Sequence, residues 1–374
     1  MALEPVEPDP RPERPDPRPR SRLTPRVRRD VFVDQAAYRL VRLQSGPDLG
    51  ELPRIEAEVD EALEMFERHG WRDEPTTYHR DPPAPDGVRV KRRRSGNLRY
   101  SSLTWLDQFS PHVGEPGTGR HLARERNAIA RAAVLEHRSG DRPWLVCLHG
   151  FGMGSPGMDL RVFRALHLYR DLGLNLAFLT LPMHGRRKSG RGAMPEMPGL
   201  DVMDTVHGLT QAVWDARQLL AHLRLRTEQP IAVAGLSLGG LVAGVVASVD
   251  DVHGALLYVP AVDLPTLMAD ATAAEASAEA EVGAALVERA RPLYGPVSPL
   301  RLDVRVPVDH RFIVAGTLDR FARPSSQAVA LWRHWDEPGL HWYHGGHVSL
   351  FWARGVQDAV DDVLRSWGLA APLP

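Results

Sequence analysis

Cysteine is nearly absent from this chain: Cys147 is the single one in 374 residues, so no intrachain disulfide can form. That suits a reducing compartment. No apolar run approaches the length of a membrane span. The first residues, MALEPVEPDPRPERPDPRPR, contain no apolar stretch of the kind a secretory leader needs. A soluble, cytoplasmic protein is therefore the expectation. A charge imbalance is missing too, with 46 Lys and Arg against 47 Asp and Glu. A net charge of -1 offers no global reason to expect nucleic acid or an anionic membrane as partner.

What is present is ordinary globular composition, 43% hydrophobic and 25% charged. Residues 1–30 are mostly Pro, Arg, Asp and Glu. Such a segment buries too little surface to offset its ordering entropy and is expected to be a disordered tail. Its arginines could hold a polyanion, but a solvated tail of mixed charge needs no partner. Residues 31–95 form an accessory segment. In it Ile55, Val59, Leu63 and Phe66 recur at helical spacing, and Gly70 supplies a stop. The run Lys91–Arg94 reads as an exposed face or turn.

From about residue 96 to 370 the pattern is that of one α/β domain. Leu98–Phe109 and Ala128–His137 read as an opening hairpin. Pro143–His149, Asn175–Leu181, Pro230–Leu236, Ala255–Val259, Phe312–Ala315 and Leu340–Tyr343 are short apolar runs, as expected for strands covered on both faces. Helical spacing separates them at Leu160–Leu172, Asp204–Leu223 and Gly239–Val249, and a closing helix is expected from about Leu350 to Trp367. Strand and helix in alternation predict a doubly wound, mostly parallel sheet. Residues 264–300, rich in Ala and Glu, interrupt the alternation and predict a small helical cap. Leu264, Leu267, Met268, Leu286 and Val287 could line an apolar acyl pocket there, or simply pack the cap on the core.

The chemistry is carried by Gly235-Leu236-Ser237-Leu238-Gly239-Gly240. A G-x-S-x-G string alone is a weak signal, but this one ends a buried strand and opens a helix of small residues. There a nucleophile sits on a strained turn, and a Cβ at either flanking glycine would clash across it. The helix N-terminus adds free N–H groups and a positive dipole end.

With these motifs in hand, the stretch from about 96 to 370 resembles the α/β-hydrolase superfamily. Carrying the resemblance, in the superfamily's order, are Leu148-His149-Gly150-Phe151-Gly152, Leu181-Pro182-Met183-His184-Gly185-Arg186, the Ser237 elbow, Gly316-Thr317-Leu318-Asp319 and Gly345-Gly346-His347. The resemblance implies a serine, acid, histidine order along the chain. It makes Ser237 the nucleophile, His347 the base and Asp319 the acid, with His344 and Asp263 as rivals. The oxyanion hole would use the backbone N–H groups of Leu238 and Phe151. His149, Gly150, His184 and Arg186 are candidates for substrate contact, although His149 could equally brace its loop and the other two side chains could cap their turn.

The spacing His341-x-x-His344-x-x-His347 raises zinc as an alternative. On a strand, residues three apart face opposite ways, so no metal and no cofactor are expected. The implied activity is a serine esterase, lipase-like in its apolar cap, acting on a small acyl substrate. Thioesterase, amidase or acyltransferase chemistry on the same triad remains open, as does a non-catalytic binding protein. No aspartate stands at the elbow, which argues against a dehalogenase or epoxide hydrolase. Nothing in the sequence speaks to oligomeric state or to the particular substrate.

Overall fold

The structure, a computed structural model, describes residues 16–20, 24–25, 27–32, 34, 49–138, 141–190, 193–272, 278–353 and 355–370. Nine strands form one sheet in the order β1-β2-β3-β5-β4-β6-β7-β8-β9. The strands are β1 (Arg89–Ser95), β2 (Leu98–Leu106), β3 (Ile129–Leu135), β4 (Trp144–Leu148), β5 (Asn175–Thr180), β6 (Ile231–Leu236), β7 (Ala255–Tyr258), β8 (Arg311–Gly316) and β9 (Gly339–Tyr343). β1 to β3 and the β3–β5 pair run antiparallel; every pairing from β5 through β9 is parallel.

The apolar runs become central strands because both faces of the sheet are covered. In β4, Trp144, Val146 and Leu148 enter one core cluster, while Leu145 and Cys147 enter the other. That alternation is the two-residue period of a strand, with neither face left to water. On one face lie α1 (Leu52–His69), α5 (Val202–Arg224) and α6 (Leu238–Val249), and on the other α3 (Pro156–Val162), α4 (Ala165–Arg170) and α10 (Val356–Ser366). The remaining helices are α2 (Thr118–Leu122), α7 (Leu264–Thr272), α8 (Ala278–Arg289) and α9 (Ala328–His334).

The accessory helix forms where its spacing places it. Ile55, Val59, Ala62, Met65 and Phe66 are its buried stripe, and Gly70 closes it in the left-handed conformation at φ 71°. α7 and α8 occupy the interruption between β7 and β8, as the break in alternation predicts. Leu264, Leu286 and Val287 are buried as packing, whereas Leu267 and Met268 are half-exposed.

Several details differ from the sequence-based expectation. Lys91–Arg94 is the exposed face expected of it, but on the edge strand β1 rather than in a turn, so the sheet begins before the boundary expected near residue 96. Charged side chains on an edge strand discourage pairing with another chain. The stretch Leu160–Leu172 is two helices, because Arg164 takes a left-handed φ of 53° between them. The closing helix is likewise divided. A 3-10 turn, Val348–Trp352, precedes Gly355 at φ 79°, and α10 starts after it. Much of the tail read as disordered lies outside the described residues. Of those described, 27–32 are helical, with Val27 and Asp30 buried.

Candidate active site

β6 runs straight into Ser237, and α6 starts at the next residue. Ser237 adopts φ 54°, ψ -111°, a conformation that costs a non-glycine residue about 1–3 kcal/mol. The surroundings hold it there. Its N–H donates to Tyr258 O at 2.9 Å, and its own carbonyl accepts the N–H groups of Leu241 and Ala261, each at 3.1 Å. The flanking glycines are obligatory. A Cβ on Gly235 would lie 2.1 Å from Gly239 O, and one on Gly239 would lie 2.0 Å from Leu148 O. The second contact also shows that the end of β4 abuts the elbow.

His347 follows β9 in the loop opened by Gly345 and Gly346. Its Nε2 lies 2.9 Å from Ser237 Oγ, and its Nδ1 lies 2.7 Å from Asp319 Oδ2. The other Asp319 oxygen accepts the N–H groups of Phe321 and Ala322, each at 2.9 Å. With that carboxylate fixed, Nδ1–H donates to it, and Nε2 is left as acceptor for the serine hydroxyl. Phe321 covers the imidazole, ring centroids 5.1 Å apart and nearly parallel. Burial pushes the His347 imidazole toward its neutral form. The charge and hydrogen bond of Asp319 outweigh this and hold its pKa above the usual histidine value.

The rival residues are engaged elsewhere. Asp263 accepts Thr266 N–H at 3.0 Å and pairs with Arg291 at 3.2 Å. His344 is exposed, one loop position away from the strand end. Among the described residues no group of three or more His, Cys, Asp or Glu is arranged to hold a metal ion.

Of the substrate-contact candidates, three are interior. His149 is buried; its Nδ1 meets Gly150 O at 2.8 Å while its Nε2 accepts Leu181 N–H at 3.0 Å. Burial lowers its pKa to about 3, so it braces the loop as a neutral ring. His184 is also buried, its Nδ1 on Pro182 O at 2.8 Å and its pKa lowered by burial to about 4. Gly150 is buried as well. Of this group only Arg186 is exposed. These rings lie inside because the turn after β5 packs against the loop after β4; His149 and His184 meet between the two at a tilt, ring centroids 5.2 Å apart.

Two residues that support the site gave no sequence signal. Arg187 is wholly buried and paired with Asp215 at 2.5 Å and Asp107 at 3.1 Å, and it also binds Thr180 O at the end of β5. Asp34 accepts the backbone N–H groups of His347 and of Val348, the latter at 2.9 Å.

Similar folds occur among solved structures. Acetyl xylan esterase 1 from Thermoanaerobacterium sp. JW/SL YS485 matches 80% of this chain and 93% of its own, with a TM-score of 0.52 at 15% identity. An acetyl xylan esterase from Paenibacillus sp. R4 gives the same coverage and TM-score at 17% identity. The likeness shows that the chain has the fold of these esterases. No family model matches it. The chain belongs to one family with the uncharacterized protein MT2702 of Mycobacterium tuberculosis (strain CDC 1551 / Oshkosh), 39% identical over 318 residues, 84% of this chain and 76% of the relative. The uncharacterized protein Rv2627c of strain ATCC 25618 / H37Rv matches to the same extent.

Proposed function

We propose that this chain is a serine hydrolase that cleaves carboxylic esters through an acyl-enzyme. The observation that carries the reading is the pair of bonds on His347, 2.9 Å to Ser237 Oγ and 2.7 Å to Asp319, at a strained strand-to-helix elbow. In the first half-reaction Ser237 Oγ attacks the acyl carbon while its proton passes to His347 Nε2. Asp319 keeps the imidazolium oriented and compensates its charge. The carbonyl oxygen becomes an oxyanion facing the N–H groups of Leu238 and Phe151, each donor worth on the order of 3 kcal/mol. Collapse of the adduct breaks the ester C–O bond, and His347 returns the proton to the departing alkoxide. Water then repeats the sequence on the acyl-enzyme, His347 taking its proton, and releases the acid.

An ester is favoured over an amide because an alkoxide departs more readily than an amide nitrogen, so less protonation is demanded in the transition state. The elevated pKa of His347 places the acid limb of the rate profile above the ordinary histidine range, since only the neutral ring acts as base. α7 borders the site, because its Asp270 pairs at 3.0 Å with Arg323 in the segment that follows Asp319. The half-exposed Leu267 and Met268 of that helix are the side chains we assign to acyl-chain contact.

The test is steady-state hydrolysis of p-nitrophenyl esters of increasing acyl length. Saturable turnover that falls on the acid side, as the His347 ring becomes protonated, supports the reading. Absence of turnover on every ester, together with no reaction with a fluorophosphonate, contradicts it.

A further inference from the structure

The segment ahead of α1 buries two aspartates, Asp30 and Asp34, as well as Val27. Asp30 accepts Trp352 Nε1–H at 3.3 Å. Asp34 is 1% exposed and takes Val348 N–H at 2.9 Å on one oxygen and His347 N–H on the other. These two N–H groups open the 3-10 turn Val348–Trp352. The carboxylate therefore caps that turn where the chain delivers His347 to Ser237, much as an acidic residue satisfies free donors at a helix start.

Gly346 is shaped to this contact. A Cβ there would stand 1.7 Å from Asp34 Oδ2, and its three nearest atoms would all belong to the Asp34 carboxylate. The opposite side of the loop is tied to the sheet. Tyr343 O–H donates to Gly346 O at 2.7 Å, and Leu318 N–H to Gly345 O at 2.9 Å. Without Asp34, two part-buried donors beside the base would lose their acceptor, and the loop would be fixed from one side only.

We propose that Asp34 is a positioning residue for His347: by accepting the backbone N–H groups of His347 and Val348 it fixes the imidazole between Ser237 and Asp319, and so makes the N-terminal segment part of the site's frame. The proposal rests on the assignment of Ser237, His347 and Asp319 given above. Asp34 acts through the backbone and through its charge, not on substrate.

Asp319, His347 and Tyr343 are the titratable groups that face it. Burial pushes the Asp34 carboxyl up to about 6, against the lowering effect of the Val348 N–H and the His347 charge. The folded-state pKa is raised, so the carboxylate loses its charge as pH falls through that range and the clasp weakens. His347 becomes protonated on the same acidic side, which steepens the acid limb of activity beyond a single proton.

The experiment uses the full chain with Asp34→Asn, Asp34→Ala, Gly346→Ala and the double variant Asp34→Ala with Gly346→Ala. It measures kcat and KM on p-nitrophenyl acetate and the NMR titration of the His347 imidazole, assigned with His347→Gln. A misplacement of about 1 Å in an active site costs on the order of 100-fold. Asp34→Asn is therefore expected to lower kcat by about 10- to 100-fold with KM within about threefold. It is also expected to shift the His347 midpoint downward, because a negative charge facing the ring has gone. Gly346→Ala is expected to be costly alone and to add little once Asp34 is Ala. An unchanged kcat and midpoint in Asp34→Asn would overturn the proposal, as would a Gly346→Ala cost equally large in both backgrounds. Should Asp34→Asn not fold, the Val348 amide of the unaltered protein decides: it is expected to titrate near 6 with Asp34, and a shift independent of pH overturns the contact. The NMR readings need no substrate. A protein inert toward esters would thus refute the hydrolase reading while the Asp34 contact is judged separately.

Discussion

Replacing Asp319 with asparagine perturbs the site by little more than one atom and one charge. One oxygen of Asp319 already accepts two backbone N–H groups, from Phe321 and Ala322, each at 2.9 Å. The asparagine carbonyl will keep that position, because an NH2 group there would face two donors. Its NH2 must then point at His347 Nδ1, now 2.7 Å from Oδ2. A donor on Nδ1 forces the ring proton to Nε2, and Nε2–H cannot take the proton of Ser237. The expected loss is the one that accompanies a wrong tautomer, about 10⁴-fold in kcat. That corresponds to about 5 kcal/mol in the barrier. A second signature follows from charge. Asp319 is what raises His347 against the effect of burial, so its loss moves the acid limb of the residual activity to lower pH. The assay is hydrolysis of p-nitrophenyl acetate across pH, with a thermal melt to confirm that the variant is folded. A kcat within about tenfold of the unaltered enzyme, with the acid limb unmoved, would refute the orienting role of Asp319.

Other outcomes test the frame around the site. Arg187→Met leaves Asp107 and Asp215 buried without their cation and should cost about 3–5 kcal/mol in urea unfolding, whereas a loss below about 1 kcal/mol would show the network to be dispensable. Leu267→Ala with Met268→Ala should flatten the preference for longer acyl chains among p-nitrophenyl esters without unfolding the protein; an unchanged profile would move the acyl pocket elsewhere. Excising the whole cap is a poorer test, because Leu264 and Leu286 belong to the main core.

The elbow at Ser237 and the turns that carry Asp319 and His347 are legible in the sequence for a common reason. Each is set by its immediate neighbours: a buried strand, one or two glycines, then the residue proposed to react. The parallel strands were readable because both their faces are covered, which leaves an uninterrupted apolar run such as Trp144–Leu148. What stayed hidden depends on distant partners or on single backbone angles. Asp34 sits in the accessory segment, outside the helical pattern of Ile55–Phe66, and its partners are the backbone N–H groups of His347 and Val348, which no side-chain pattern encodes. Arg187 looks like its exposed neighbour Arg186 until the fold brings Asp107 and Asp215 to it. The break at Arg164 turns on one left-handed residue that carries no glycine to announce it. His149 and His184, read as candidates either for substrate contact or for bracing their loop and turn, lie inside, bonded to those two segments.

The central claim is that Ser237 forms a covalent bond with the acyl group or its mimic. The direct measurement is intact-protein mass spectrometry after a fluorophosphonate, followed by peptide mapping, on the unaltered chain and on Ser237→Ala. The account predicts one added phosphonyl group on the peptide containing Gly235-Leu236-Ser237-Leu238-Gly239, no adduct in Ser237→Ala, and loss of ester turnover with the fold intact. An adduct on another residue, or undiminished turnover by Ser237→Ala, would contradict it.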